Sequence, residues 1–130
     1  MKNEMEEKKL SACESLIMKV IWDAEEDISI PELTEQLRVR FDKDYKRTTV
    51  VTFLLRLSDK GYAKTYRKGK LSYAHAVRTE EEFKQKLATE ETDFWFRGRA
   101  AGFLSALAAN HKLTKKDAEE IRAILDDLDD

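Results

Sequence analysis

Apolar positions recur every three or four residues through most of the chain. The clearest stripe lies in residues 47–61, RTTVVTFLLRLSDKG, where Val50, Phe53, Leu54 and Leu57 share one arc at about 100° per residue. That pattern predicts an amphipathic helix of about four turns. Gly61 follows the last apolar position and fits a left-handed cap that ends it. The opposite arc carries Thr48, Thr52 and Asp59, flanked by Thr49, Val51 and Arg56, with Lys46 and Arg47 at the entry. A merely solvated face favours Glu, Lys and Gln, and β-branched threonine is a mediocre helix former. Short side chains with one hydroxyl and one methyl instead suit close approach to a groove lined by acceptors and thymine methyls. The stretch reads as a DNA recognition helix.

Two further helices are expected before it. Ser11 and Glu14 have the spacing of a capping box, followed by Leu16, Ile17, Val20 and Ile21 at helical intervals. Cys13 lies one turn before Ile17 and reads as a small buried apolar residue, and Trp22 closes the helix over the core. An acidic loop over residues 23–27 leads to Ile28. Ser29 and Glu32 repeat the capping-box spacing with Pro31 in the first turn; Leu33 and Leu37 form the buried stripe, and the helix ends near Phe41. Three helices with short links describe a helix-turn-helix core. Residues 62–67 and 71–77 then carry strand formers around Lys68-Gly69-Lys70, with Tyr66 and Tyr73 placed to meet across the strands. A hairpin there is a wing, and Arg67, Lys68 and Lys70 would reach phosphates.

From Thr79 the composition changes. Thr79, Glu82, Phe83 and Leu87 predict a helix through about Ala88, and TEETD after it reads as a kink or loop. Residues 94–110, FWFRGRAAGFLSALAAN, repeat Phe96, Ala100, Phe103, Leu104 and Leu107 at helical spacing, with Gly98 and Gly102 allowing close helix approach. Thr114 and Asp117 begin a last helix that turns Ile121, Ile124, Leu125 and Leu128 inward and ends in an acidic tail. Three such helices bury too little apolar area to stand alone. Phe94, Phe96, Phe103, Leu104, Leu107, Ile121, Ile124, Leu125 and Leu128 are therefore the expected dimer interface, the alternative being that these helices fold back on their own winged domain. The expected fold class is mainly α with a small β-hairpin: an N-terminal winged helix-turn-helix over residues 1–78 and a C-terminal helical dimerisation region over residues 79–130.

Composition narrows the classes further. The chain has 130 residues, 42% hydrophobic and 38% charged, with one Pro and four Gly, which favours a helical globular protein over disorder. No apolar run approaches the roughly 20 residues of a membrane span, so no membrane insertion is expected. The opening MKNEMEEKK reads as a frayed arm with no apolar signal-peptide core, and a single cysteine suits a reducing compartment; the expected location is cytoplasmic. The formal net charge of −2 is unevenly spread: residues 38–70 hold eleven Lys and Arg against Asp42, Asp44 and Asp59, a net of +8 that leaves −10 elsewhere. A basic block in an acidic chain is the footprint of a phosphate-binding face. His75 and His111 give only a weak metal signal, no nucleophile–base pairing or Gly-rich phosphate loop is evident, and neither a cofactor nor enzymatic activity is expected. A winged-helix adaptor that contacts protein and not DNA is the rival reading; it predicts a neutral third-helix face and an uncharged wing tip.

With these residues in view, the chain resembles the penicillinase repressor family (BlaI/MecI), which includes the copper-responsive CopY repressors. The resemblance rests on Glu14, Met18 and Trp22 in the first helix, Thr48-Thr49-Val50, Thr52, Leu54, Arg56-Leu57, Lys60-Gly61-Tyr62, Tyr73, and the late order of a Gly-containing helix before LTKKDAEEIRAIL. It implies a homodimeric repressor whose two third helices enter successive major grooves of a pseudo-palindromic double-stranded operator. Leu55 stands at a position usually polar and faces outward by the helical phases, so either the phase is slightly off or Leu55 makes an apolar contact with a thymine methyl; Val51 stands where relatives often carry a basic residue, which implies a different operator sequence. In the antibiotic-responsive members the resemblance implies release by proteolysis between Asn and Phe, with a membrane sensor protease as partner. Here the nearest match is Asn110-His111, without the Phe. No cysteine follows Cys13, so the paired C-x-C thiolates of the copper-sensing members are missing.

Overall fold

A computed structural model describes residues 9–128, so the expected arm at the N-terminus lies outside the described residues except for Lys9. The elements run α1 (Ala12–Asp23), β1 (Ile28–Ser29), α2 (Ile30–Phe41), α3 (Arg47–Asp59), β2 (Ala63–Lys68), β3 (Leu71–Ala76), α4 (Glu80–Phe96), α5 (Ala100–Ala109) and α6 (Lys115–Leu128). They divide into two compact units, Met1–Phe83 and Lys84–Asp130.

In the first unit the helix starts follow the side chains foreseen for them. The Ser11 hydroxyl accepts from the Glu14 N–H while the Ser11 N–H donates to the Glu14 carboxylate, so both halves of the capping box form. At α2 only one half forms: Ser29 Oγ accepts from the Glu32 N–H, whereas the Glu32 carboxylate accepts from Gln36 Nε2. The end of α3 is a Schellman motif: the Tyr62 N–H reaches Leu57 O and the Gly61 N–H reaches Ser58 O, with Gly61 at φ +83°. Asp42 ends α2 in the same left-handed region, which its short polar side chain tolerates.

The core joins Ile17, Met18, Val20 and Ile21 of α1 to Leu33 and Leu37 of α2, Val50, Leu54 and Leu57 of α3, and Ala63 and Ala74 of the sheet. The sheet order is β1-β3-β2, all antiparallel, with Tyr66 opposite Tyr73 and their rings stacked 5.8 Å apart. Strand β1 is an addition to the expected hairpin. It pairs Ile28 with Ala74 and Ser29 with Tyr73, which covers the free edge of β3 and buries Ile28. Trp22 closes the core as expected; its indole N–H donates to Arg78 O at 2.8 Å and its ring meets Phe83 at 5.3 Å.

Among the described residues one charged side chain sits inside this core. Glu14 is 1% exposed, and one of its oxygens, Oε1, accepts from both the Ser11 N–H at 2.8 Å and Lys60 Nζ at 2.6 Å. Burial raises the Glu14 carboxyl, but the Lys60 and Ser11 donors more than reverse this and hold it below the ordinary carboxylate range. Cys13 corrects its expectation: it is half-buried, and its thiol lies 2.9 Å from the Tyr45 hydroxyl.

The second unit departs from expectation in three places. TEETD continues α4, with no Pro or Gly between Thr79 and Phe96 to interrupt it and a Lys86–Glu90 pair at 3.8 Å along its surface. The following run, expected as one helix, breaks at Arg97 and Gly98, whose φ values are +54° and +77°. Gly98 therefore ends a helix. Gly102 does permit a close approach: a Cβ there would lie 3.3 Å from Phe96 Cδ1, and Phe96 also meets Phe103 at 5.4 Å. The α6 cap forms reciprocally between Thr114 and Asp117. Ile124, Leu125 and Leu128, expected inward, are exposed in the single chain, and Ile121 is half-buried.

Lys60→Met should cost about 3 kcal/mol at neutral pH in urea unfolding, because it strands the buried Glu14 charge. The sign with pH follows from linkage. In the wild type the depressed Glu14 carboxyl adds stability above its unfolded range and loses it as pH falls through the folded one. In the variant only Ser11 is left to oppose burial, so the carboxyl lies higher than in the wild type, protonation relieves part of the lost pairing, and the difference from wild type narrows on acidification. A difference that stays constant with pH would contradict the pairing.

Candidate nucleic-acid interface

The rotation of α3 is set by Val50, Leu54 and Leu57, all buried, and by half-buried Phe53. Thr48, Val51, Thr52, Leu55, Arg56 and Asp59 are thereby turned outward, and Thr49 is half-buried at the edge. Thr52 Oγ1 donates to Thr48 O at 3.0 Å, so its hydroxyl proton is engaged within the helix while its oxygen can still accept. Leu55 is 60% exposed and Val51 43%, which puts an apolar pair one turn apart on this face. Leu55 was outside the candidate set; its outward phase was the available signal.

The first turn of α3 differs from the serine-capped starts of α1 and α2. Its N-cap is Lys46, which makes no side-chain capping bond. The first-turn N–H groups, with Lys46 and Arg47 beside them, suit a phosphate oxygen. Arg56 is drawn to the flank, its guanidinium 5.6 Å from the Phe53 ring centre, and Tyr45 braces the same ring at 5.7 Å. That position suits a backbone phosphate better than a base edge. Tyr45 is a support that the helical pattern could not show, since it lies in the link before α3.

At the hairpin, β2 and β3 are joined by Gly69 and Lys70, with Gly69 at φ +66°. Arg67, Lys68 and Lys70 are all exposed, and Arg67 Nη2 reaches Lys70 O at 3.5 Å. Nearer the sheet base, Asp27 accepts from the Tyr66 hydroxyl at 2.6 Å and lies 2.9 Å from His75 Nδ1. The Tyr66 bond, then His75, lowers the Asp27 carboxyl and ties the loop before β1 to the wing. His111 lies exposed after α5, and among the described residues no three metal-ligating side chains converge.

Ion pairing sorts the basic block. Arg38 pairs with Glu35, Arg40 with Asp23 at 2.7 Å, and Lys60 with Glu14. Among the described residues no carboxylate pairs with Lys46, Arg47, Arg56, Arg67, Lys68 or Lys70. Of the cations left for a polyanion, Lys46, Arg47 and Arg56 lie at the start and on the flank of α3 and Arg67, Lys68 and Lys70 at the hairpin tip, with Lys43 in the link before α3 and Lys64 on β2. Local pairing reduces the available +8 without erasing the footprint.

The model of the penicillinase repressor family matches residues 10–127. The chain belongs to the penicillinase repressor family. It is a DNA-binding transcriptional repressor with a winged-helix fold. The chain is 25% identical over 119 residues to the penicillinase repressor of Staphylococcus aureus, spanning 92% of each protein. It is also similar to the solution structure of the DNA-binding domain of the repressor BlaI, with 27% identity and a TM-score of 0.49, over 63% of this chain and 93% of that one. A further similarity is to disulfide-formed AbfR, at 14% identity and a TM-score of 0.48, over 95% and 77% of the two chains. Among the described residues, no helix of this family member is long and apolar enough to cross a membrane.

Two substitutions separate base reading from phosphate binding. Thr52→Ala should cost about 1 kcal/mol at one operator position and leave random-sequence affinity unchanged. Lys68→Ala should weaken all sequences alike and lower the slope of log affinity against log salt by about one. Fluorescence anisotropy with specific and random duplexes at several salt concentrations reads both. Equal losses on both duplexes for both variants would contradict the assignments.

Proposed function

We propose that the protein represses transcription as a homodimer, with residues 1–78 binding DNA and residues 79–130 holding the two copies together. Each third helix enters a major groove of a pseudo-palindromic operator in the cytoplasm, each wing grips the flanking backbone, and the bound dimer occludes polymerase. The observation that carries the DNA half is the coincidence of unpaired Lys46, Arg47, Arg56, Arg67, Lys68 and Lys70 with the outward threonine face. Phosphates supply most of the affinity, and the α3 side chains supply sequence choice.

The dimer is supported by what the second unit fails to bury. Among the described residues 84–128 none is buried, and Phe94, Trp95, Ile124, Leu125 and Leu128 are exposed. Helices that bury no side chain gain little from packing and need a second surface. The interface set is Phe94, Phe96, Phe103, Leu104, Leu107, Ile121, Ile124, Leu125 and Leu128. For release, Asn110 and His111 form the exposed link between α5 and α6, with His111 at φ +58°. That link is the candidate point for cutting by a membrane sensor protease, which would separate α6 from the rest of the interface.

Filter retention of random duplex DNA at low and moderate salt tests the first half. Retention that falls steeply with salt is expected, and no retention even in dilute buffer would overturn it. Sedimentation tests the second half. Wild type should be a dimer, and the double variant Leu125→Glu, Leu128→Glu a monomer that binds operator at least tenfold more weakly while its winged unit stays folded. A monomeric wild type would overturn the dimer.

A further inference from the structure

We infer that Leu55, together with Val51, is a specificity-determining contact that reads thymine 5-methyl groups in the major groove. The inference rests on the repressor reading above and names what its third helix selects. On α3, Thr48, Val51, Thr52 and Leu55 fall at i, i+3, i+4 and i+7, a single stripe opposite buried Val50, Leu54 and Leu57. Leu55 is the last of these four, about 10 Å along the axis from Thr48 at 1.5 Å per residue and one turn before Asp59. It is 60% exposed and Val51 43%, and the two are one turn apart.

The polar capacity of this stripe is small. The Thr52 hydroxyl proton is bound to Thr48 O, which leaves an acceptor and a methyl group. No Arg, Lys, Asn or Gln stands on it to make a bidentate contact with guanine or adenine. Arg56, the nearest cation on the helix, is held at the flank over Phe53. Only thymine offers an apolar group among the major-groove edges, so it is the base feature that an aliphatic pair can distinguish. Phosphates held by Lys46 and Arg47 at the entry of α3 would bring the pair to groove depth, and Asp59 ends the stripe with a charge that disfavours deeper phosphate contact.

The test begins with duplexes selected by the wild-type protein from a randomised pool, followed by replacement of each thymine by deoxyuracil, which removes only the methyl. At one or two steps per half-site the replacement should weaken wild-type binding about fourfold, the equivalent of about 0.8 kcal/mol for one buried methyl group. Leu55→Ala, at an exposed site where folding is not at stake, should bind thymine and deoxyuracil duplexes equally at one of those steps, leaving any second step to Val51. It should keep the wild-type salt slope on random DNA. Leu55→Met should restore most of the discrimination. If the wild type selects a sequence but binds its deoxyuracil form equally well, the methyl reading is wrong and the repressor reading stands. Undiminished discrimination in Leu55→Ala would likewise assign the contact elsewhere. Failure to select any duplex would overturn both.

Discussion

A single carboxylate oxygen inside the first unit ties together the parts that present the proposed DNA-binding face. Oε1 of Glu14 takes a backbone N–H at the start of α1 and the ammonium of Lys60 at the end of α3. Such a pair adds little over a well-packed apolar substitute, but removing one partner alone is costly. Its value here is geometric. Lys60 is the residue on which α3 terminates, so the pair fixes the far end of that helix against α1, and the Schellman turn at Gly61 sends the chain directly into β2. With Val50, Leu54 and Leu57 locked in the core, the outward stripe has little rotational freedom.

The second constraint is electrostatic. An acidic protein can bind a polyanion only if its cations are arranged locally, and here carboxylates engage only part of the basic block. Glu35, Asp23 and Glu14 neutralise Arg38, Arg40 and Lys60, while α3 and the hairpin tip keep theirs. The acidic remainder of the chain disfavours indiscriminate adhesion to nucleic acid, which leaves approach through one face. Asp27 adds a positional role by bonding to Tyr66 and His75, so that the wing is braced from its base and not only by the hairpin turn.

The winged unit was largely legible because its signals are local. Ser11, Ser29 and Thr79 cap helices through their own side chains, Gly61 supplies the left-handed turn, and the α3 stripe has an unbroken period. Strand β1 was not legible: two residues carry no periodicity, and they become a strand only because β3 presents an edge. Cys13 was misread because the Tyr45 hydroxyl that partners it is 32 residues away. In the second unit composition misled in both directions. TEETD is polar yet contains no helix breaker, whereas the apolar run after it contains Gly98, which ends α4 under consecutive left-handed residues. Leu55 was visible as outward, but helical phase alone could not separate a small phase error from an apolar contact with a thymine methyl.

The central claim is that duplex DNA meets the outer face of α3 and the hairpin tip. Amide chemical shifts of the isotope-labelled full-length protein, followed as a selected duplex is added, test it residue by residue. The account predicts the largest changes at residues 46–56 and 67–70. Changes confined to residues 84–128, or none at a duplex concentration that saturates binding, would contradict it.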